Sequence, residues 1–273
     1  MPDTSFYTVA KKPPIAWVHL NRPDKKNAMN PPAWHEAPPL FEDLDQDPDI
    51  RVVILAAHGS CFSVGIDLVE MAGELPEIME KEQMGGVKWR LLKRIGALQE
   101  TMSCIERCRK PVIAAIHRHC IGGGVDMICA CDIRLATSDA VFSIRETRMG
   151  IIADVGTLQR LPHIIGQGWF RELALTGRDF GAREALQIGL VTRICDDRPA
   201  LYDEAKQLAA QIIACPPLTV QGTKEVINYS RDNGIEAGLQ YVAQKNAAAL
   251  PSEDLMEAVR AFMEKREPVF KGK

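Results

Sequence analysis

The chain has 273 residues, 46% hydrophobic and 25% charged, with a formal net charge of -3. That is ordinary globular composition, long enough to bury a large core without staples, and the charge gives no global attraction to nucleic acid or an anionic membrane. No stretch reaches the ~18 uninterrupted apolar residues of a membrane helix.

The opening MPDTSFYTVAKKPP has neither an apolar signal core nor an Arg-rich amphipathic pattern, and the closing FKGK is not a peroxisomal address, so the sequence suggests a cytoplasmic protein. Short apolar, β-branched runs follow at Ile15–Leu20, Val52–Ala57, Val112–Ile116, Val141–Ile144 and Leu190–Cys195, with the length and residue types of buried strands. Helical patterns lie between them, notably Lys88–Cys108 and Arg183–Ile188. This alternation points to an α/β core with largely parallel strands, and the strand spacing is compatible with a loose repeat of roughly 40 to 50 residues. Asn30–Leu44 stands where a helix belongs, yet carries Pro31-Pro32 and Pro38-Pro39; with Pro inside a helix costing about 3 kcal/mol, we expect no more than one turn after Pro39. From about residue 200 the pattern is all helix, at Ala200–Ala214, Val220–Ser230, Gly234–Leu250 and Asp254–Glu264. The expected organisation is a core over 1–200 and a helical region over 201–273 that packs on the core or a neighbouring subunit.

The eight cysteines sit mostly in apolar runs and are expected to be reduced and buried as small hydrophobes. Cys104/Cys108 and Cys129/Cys131 lack the CxxC spacing of a zinc knuckle, so no metal site is expected. His19, in IAWVHL, is expected to be structural.

Two strand-to-helix turns carry the chemistry. In KPVIAAIHRHCIGGGVD a helix is expected to start near Gly123, and in HGSCFSVGIDLVEM Gly65-Ile66 stands at a second turn. Backbone N–H groups at such turns suit an oxyanion, and two of them could serve one oxygen. Three carboxylates follow: Asp126, Glu146 and, in IIADVG, Asp154. Each also has a plainer role open to it. Asp126 could favour a helix N-terminus, Glu146 could pair with Arg145 or Arg148, and Asp154 could serve a turn before Gly156.

CFSVGIDLVEM, KPVIAAIH, CIGGGVDMICACDIRLA, GTLQRLP and LNRPDKKNAMN resemble the crotonase (enoyl-CoA hydratase/isomerase) superfamily over about residues 10–265. The resemblance implies a spiral of ββα repeats, a C-terminal helical trimerisation region, and trimers or hexamers built as dimers of trimers. It implies an acyl-CoA thioester whose oxygen is held by the Ile66 and Gly123 N–H groups, with CoA part of the substrate and no separate cofactor. Arg22, Lys26, Ser63, Gly65, Asp67, Gly122 and Lys265, the last from a neighbouring subunit, are the expected substrate-binding positions. Asp126, Glu146 and Asp154 together are similar to the 3,5-2,4-dienoyl-CoA isomerase subgroup, in which a proton leaves the carbon beside the thioester and one returns four carbons away. Two rivals remain: a 2-enoyl-CoA hydratase, with Asp154 a bystander, and a non-catalytic RNA-binding relative using the basic stretch Lys88–Lys110. Relatives usually have glycine at Arg118, so a positive φ there would strain the turn. Residues 70–95 are expected to set pocket depth.

Overall fold

A computed structural model describes residues 5–74, 76–78 and 85–273. The remaining positions, 1–4 and, within the pocket-depth stretch, 75 and 79–84, lie outside the described residues. A six-stranded sheet runs in the order β1 (Tyr7–Lys12), β2 (Ile15–Leu20), β3 (Val52–Ala57), β4 (Val112–Ile116), β6 (Ile133–Thr137), β9 (Arg193–Cys195). Only β1 is antiparallel to its neighbour; the other pairings are parallel, as the alternation predicts. A second sheet joins β5 (His119–Ile121), β7 (Val141–Ser143) and β8 (Phe180–Gly181).

The pleat explains the apolar runs. Val53, Leu55, Ala114 and Ile116 turn to the larger core, and Val52, Ile54, Ile113 and Ala115 turn to a second core under α8 (Arg198–Ile213). Side chains alternate across a strand, so a strand covered on both faces is apolar throughout. The helix α8 supplies Leu201, Ala205 and Ala209 at a spacing of four, one helical face. The next helix, α9 (Pro217–Asn233), docks by the buried Lys224, whose Nζ donates to Asp132 Oδ2 at 2.7 Å and to the Lys110 carbonyl at 3.2 Å. The helices α10 (Ile235–Ala249) and α11 (Glu253–Glu264) complete the tail, close to the ranges read from sequence. The leftover strands β1, β5, β6 and β8 have weak or very short patterns and were not foreseen.

The proline-rich segment departs from expectation: Pro31–Gln46 forms one helix, α1, with Pro38 and Pro39 inside it. Pro31 and Pro32 occupy its first positions, where no N–H is needed. Pro38 has no N–H for the Trp34 carbonyl, and Thr101 Oγ1, from α3 (Gly85–Arg107), donates to that oxygen at 2.8 Å instead. The apolar stripe of Trp34, Ala37, Phe41 and Leu44 is buried, and each large side chain stabilises by about 1.5–3 kcal/mol, enough together to offset two prolines.

Six cysteines are buried, Cys195 is half-buried and Cys215 exposed, all with free thiols. His19 stacks on His58 with ring centres 4.4 Å apart, a packing role. Among the described residues no group of three or more His, Cys, Asp or Glu is placed to hold a metal, and no helix is long and apolar enough to cross a membrane. In the basic stretch, Arg94 pairs with Glu77, Arg107 with Glu100 and Arg109 with Asp45, which neutralises part of its charge.

Arg118 does adopt the left-handed region, at φ 51°, with its side chain exposed and paired to Asp139 at 3.2 Å. That conformation costs an L-residue about 1–2 kcal/mol and an exposed pair returns less than about 1 kcal/mol. Arg118→Gly is therefore expected to raise unfolding stability by about 1 kcal/mol in urea melts. Thr101→Val, which leaves the Trp34 carbonyl unbonded in the core, is expected to lower it by about 1–3 kcal/mol in the same assay.

Candidate active site

Beyond the ends of β3 and β4 the backbone ladder continues. Phe62 N donates to the His117 carbonyl at 2.8 Å, Ser63 N to His119 at 2.9 Å, and Ile121 N to Ser63 at 3.0 Å. On its other side the same segment is tied to Met29, which donates to the Gly65 carbonyl at 2.7 Å and accepts from Asp67 N at 2.9 Å. Ser63 is fully buried; its hydroxyl donates to the Asn27 carbonyl and accepts from Gly65 N. Residues 62–67 are thus clamped between two neighbours.

The clamp brings the two predicted N–H groups together. A Cβ placed on Gly65 would stand 3.4 Å from Gly123 N, and one on Gly123 would stand 3.9 Å from Ile66 N. No described residue accepts a hydrogen bond from either N–H. Gly65 has φ +90° and its Cβ would meet the Ile121 carbonyl at 2.9 Å, so only glycine fits. Gly123 opens α4 (Gly123–Cys129), where the first N–H groups have no partner within the helix. The two neighbouring N–H groups, one of them opening a helix, are therefore open to a single acceptor.

Asp126 lies in the first turn of α4 and is fully buried. Its Oδ1 accepts from Thr157 N at 2.6 Å, the first N–H of α5 (Thr157–Ile165). The helix it serves is therefore α5 rather than its own. Glu146 starts a short 3-10 turn after β7, with Oε1 3.2 Å from the place of a Cβ on Gly122. Its neighbours are engaged elsewhere, Arg145 with Asp179 and Arg148 with the Thr176 carbonyl at 2.9 Å, so the surface pairing open to Glu146 does not form. Asp126 Oδ2 and Glu146 Oε2 are both buried with no hydrogen-bond partner among the described residues.

Burial pushes Glu146 up to about 7, aided by the Asp126 charge. Burial also lifts Asp126 to about 6, against the pull of its bond to Thr157, with the Asp154 charge adding to the rise. Asp154 is half-buried in the segment before α5 and is raised by desolvation. Its charge acts on both members of the pair, which places all three acids in one electrostatic neighbourhood.

The expected substrate-binding residues divide. Arg22 Nη1 donates to Asp67 Oδ2 at 2.7 Å and Arg22 also pairs with Glu70, so Arg22 and Asp67 brace the first turn and neither stands free for a phosphate. Lys26 is exposed at φ 52°, its carbonyl accepts from Val64 N at 3.2 Å, and its ammonium has no ion-pair partner among the described residues. Ser63, Gly65 and Gly122 shape backbone. Lys265 is exposed and caps α11, donating its N–H to the Phe262 carbonyl at 3.3 Å, and none of the described residues joins it to the site. Sequence reasoning missed Thr157, Gln99 and Arg160, which hold the Asp154 segment; the GTLQRLP run contained two of them, but the bonds they make are long-range.

A family model described as Enoyl-CoA hydratase/isomerase matches residues 10–273. The chain is 45% identical over 254 residues to the mitochondrial Delta(3,5)-Delta(2,4)-dienoyl-CoA isomerase of Mus musculus, covering 93% of this chain and 77% of that one. It is 45% identical over 251 residues to the peroxisomal enzyme of the same name from Arabidopsis thaliana, covering 92% and 90%. The crystal structure of an enoyl-CoA hydratase from Bacillus anthracis superposes with a TM-score of 0.88 at 32% identity, covering 98% of this chain and all of that one.

Because both buried acids have raised pKa values, the folded state holds more protons than the unfolded chain between the ordinary carboxylate range and about 7. Their contribution to stability is therefore lost as pH rises through that window. Asp126→Asn keeps an oxygen for Thr157 N but removes the charge that lifts Glu146. Urea melts at about pH 5 and about pH 8 are expected to show a smaller loss of stability with rising pH in the variant than in the parent.

Proposed function

The chain belongs to the enoyl-CoA hydratase/isomerase (crotonase) family, and we propose that it is an isomerase converting 3,5-dienoyl-CoA to 2,4-dienoyl-CoA in fatty acid β-oxidation. The observation that carries this reading is the third acid: half-buried Asp154 lies in the segment leading into Thr157, whose N–H donates to Asp126 Oδ1 at 2.6 Å, so that its charge also bears on Asp126 and Glu146. The relatives named for this reaction support it.

In this reading the thioester oxygen accepts from the Ile66 and Gly123 N–H groups, which meet the charge of a dienolate as it develops. Glu146 serves the carbon beside the thioester and Asp154 the far end of the diene. One proton leaves the first carbon, the electron pair spreads over the dienolate, and one proton arrives four carbons away, so the atoms balance with no other reactant. An acid pushed up to about 7 is divided between its two forms near neutrality, which suits proton exchange in either direction. Asp126 sets the protonation of Glu146 and, through Thr157, the start of α5. Coenzyme A enters as part of the substrate and no separate cofactor is called for. Hydration would need a water held between Asp126 and Glu146, and Asp126 has one of its two oxygens committed to Thr157 N.

Lys26 at the rim is the cation this reading assigns to the CoA phosphates, with Lys265 reaching it from a second copy. Ile235, Leu239, Phe262 and Met263 are exposed on α10 and α11, an apolar surface of the kind that assembly into trimers or hexamers covers.

With 3,5-octadienoyl-CoA the purified protein is expected to generate the absorbance of the conjugated 2,4-diene. Asp154→Asn is expected to slow that signal about 10²–10⁴-fold, the usual weight of a positioned acid or base. Loss of enoyl absorbance from crotonyl-CoA at full rate in Asp154→Asn, with no diene formed by the parent, would make the protein a hydratase instead.

A further inference from the structure

The segment that carries Asp154 has no regular secondary structure, lying between the turn at Glu146–Met149 and α5. Something must hold it if the acid is to keep its depth in the acyl slot. Both carbonyls around the acid are held by side chains from helices. Gln99 Nε2, on α3, donates to the Asp154 carbonyl at 2.7 Å. Arg160 Nη1, on α5, reaches the Val155 carbonyl at 3.5 Å. Gly156 follows at φ +135°, and a Cβ there would collide with the Arg160 guanidinium. The segment and Arg160 are thus fitted to each other without room for a side chain between them.

Arg160 is itself fixed. Its Nη2 donates to Glu106 Oε2 at 3.0 Å and to Ser103 Oγ at 3.2 Å, both on α3. Glu106 also takes Arg231 from α9, so one carboxylate joins α5 to the C-terminal helices. The side chains of Arg160 and Glu106 are only 12% and 17% exposed, beside a polar cleft of about 320 Å³ between α3, α5 and α9. One guanidinium nitrogen of Arg160 thus serves Glu106 and Ser103 while the other serves the Val155 carbonyl, a planar fork that a lysine ammonium does not reproduce.

We propose that Gln99 and Arg160 are positioning residues for Asp154, holding the carbonyls of Asp154 and Val155 and so setting where the Asp154 carboxyl stands. The inference rests on Asp154 being an acid–base group in the reaction. It does not make either residue a contact of the substrate. A displacement of about 1 Å at a reacting group can cost about 10²-fold in rate, so loss of one tether is a measurable event.

The test uses the full-length protein with Gln99→Leu and Arg160→Met, each alone and combined with Asp154→Asn, assayed with 3,5-octadienoyl-CoA. Each single variant is expected to lower kcat about tenfold or more with KM changed less than about twofold. In the Asp154→Asn background the same changes are expected to add less than about twofold, because the group they position is gone. Effects that multiply fully with Asp154→Asn, or a kcat within about twofold of the parent in both single variants, would overturn the proposal. Where Arg160→Met fails to fold, Arg160→Lys keeps the charge beside Glu106 and drops the second donor, while exposed Gln99 tolerates leucine. A second readout needs no substrate: the ¹³C-carboxyl titration of Asp154 is expected to move in both tether variants. An unmoved titration overturns the positioning role, whereas a parent protein that forms no diene overturns the isomerase reading alone.

Discussion

The site depends on a short run of backbone hydrogen bonds outside the main sheet. Ser63 exchanges bonds with His119 and Ile121, and on its other flank Gly65 and Asp67 bond to Met29. These bonds bring the turn after β3 against the turn after β4, and no side chain could substitute for them. Parallel strands deliver their ends to the same side of a sheet, so both turns emerge together; the extra ladder then sets the distance between Ile66 N and Gly123 N. Three consecutive glycines are consistent with that closeness, since Gly124 also lies against the Ser63 side chain, with 3.2 Å left for a Cβ.

Near those two turns the acids are organised by one of their own number. Asp126 is buried where an ionised carboxylate would be expensive, and it is stabilised by one strong bond from Thr157 N. Its second oxygen is buried without a hydrogen-bond partner among the described residues. Two carboxyl groups in such a place cannot both ionise readily, and the consequence is a raised pKa at each of them. The same carboxylate sets the N-terminus of α5 and hence the approach of the Asp154 segment. One side chain therefore touches the placement of both other acids, and a fault there would be felt at each.

The departures from the sequence-based expectations share a cause. The prolines of α1 argue correctly against an isolated helix, but Thr101 supplies the donor that Pro38 lacks, from a position 67 residues from the carbonyl it reaches. Arg118 sits at positive φ between two peptides tied to different neighbours, as Phe62, in the segment after β3, bonds to the His117 carbonyl and Val141, in β7, to the Arg118 carbonyl. Arg22 and Asp67, read separately as ligand contacts, turn out to satisfy each other. In each case a local preference is overruled or absorbed by a partner distant in the chain.

The apolar runs of β2, β3 and β4 and the helical tail were legible in the chain itself, as were the positions of the glycine turns and of the three carboxylates, whose expected roles came from the resemblance to the crotonase superfamily. Each rests on a periodicity or residue type that acts over a few neighbours: alternation across a doubly covered strand, glycine where φ must be positive, carboxylates among aliphatic residues. What only the tertiary structure decided is which groups meet. That Asp126 serves Thr157 and not its own helix, that Glu146 ignores both adjacent arginines, and that Gln99 and Arg160 clasp the Asp154 segment follow from contacts between elements tens of residues apart. Such contacts are set by how helices seat on a common sheet, and the energy that selects them is shared across the whole buried core, so no short stretch of sequence carries it.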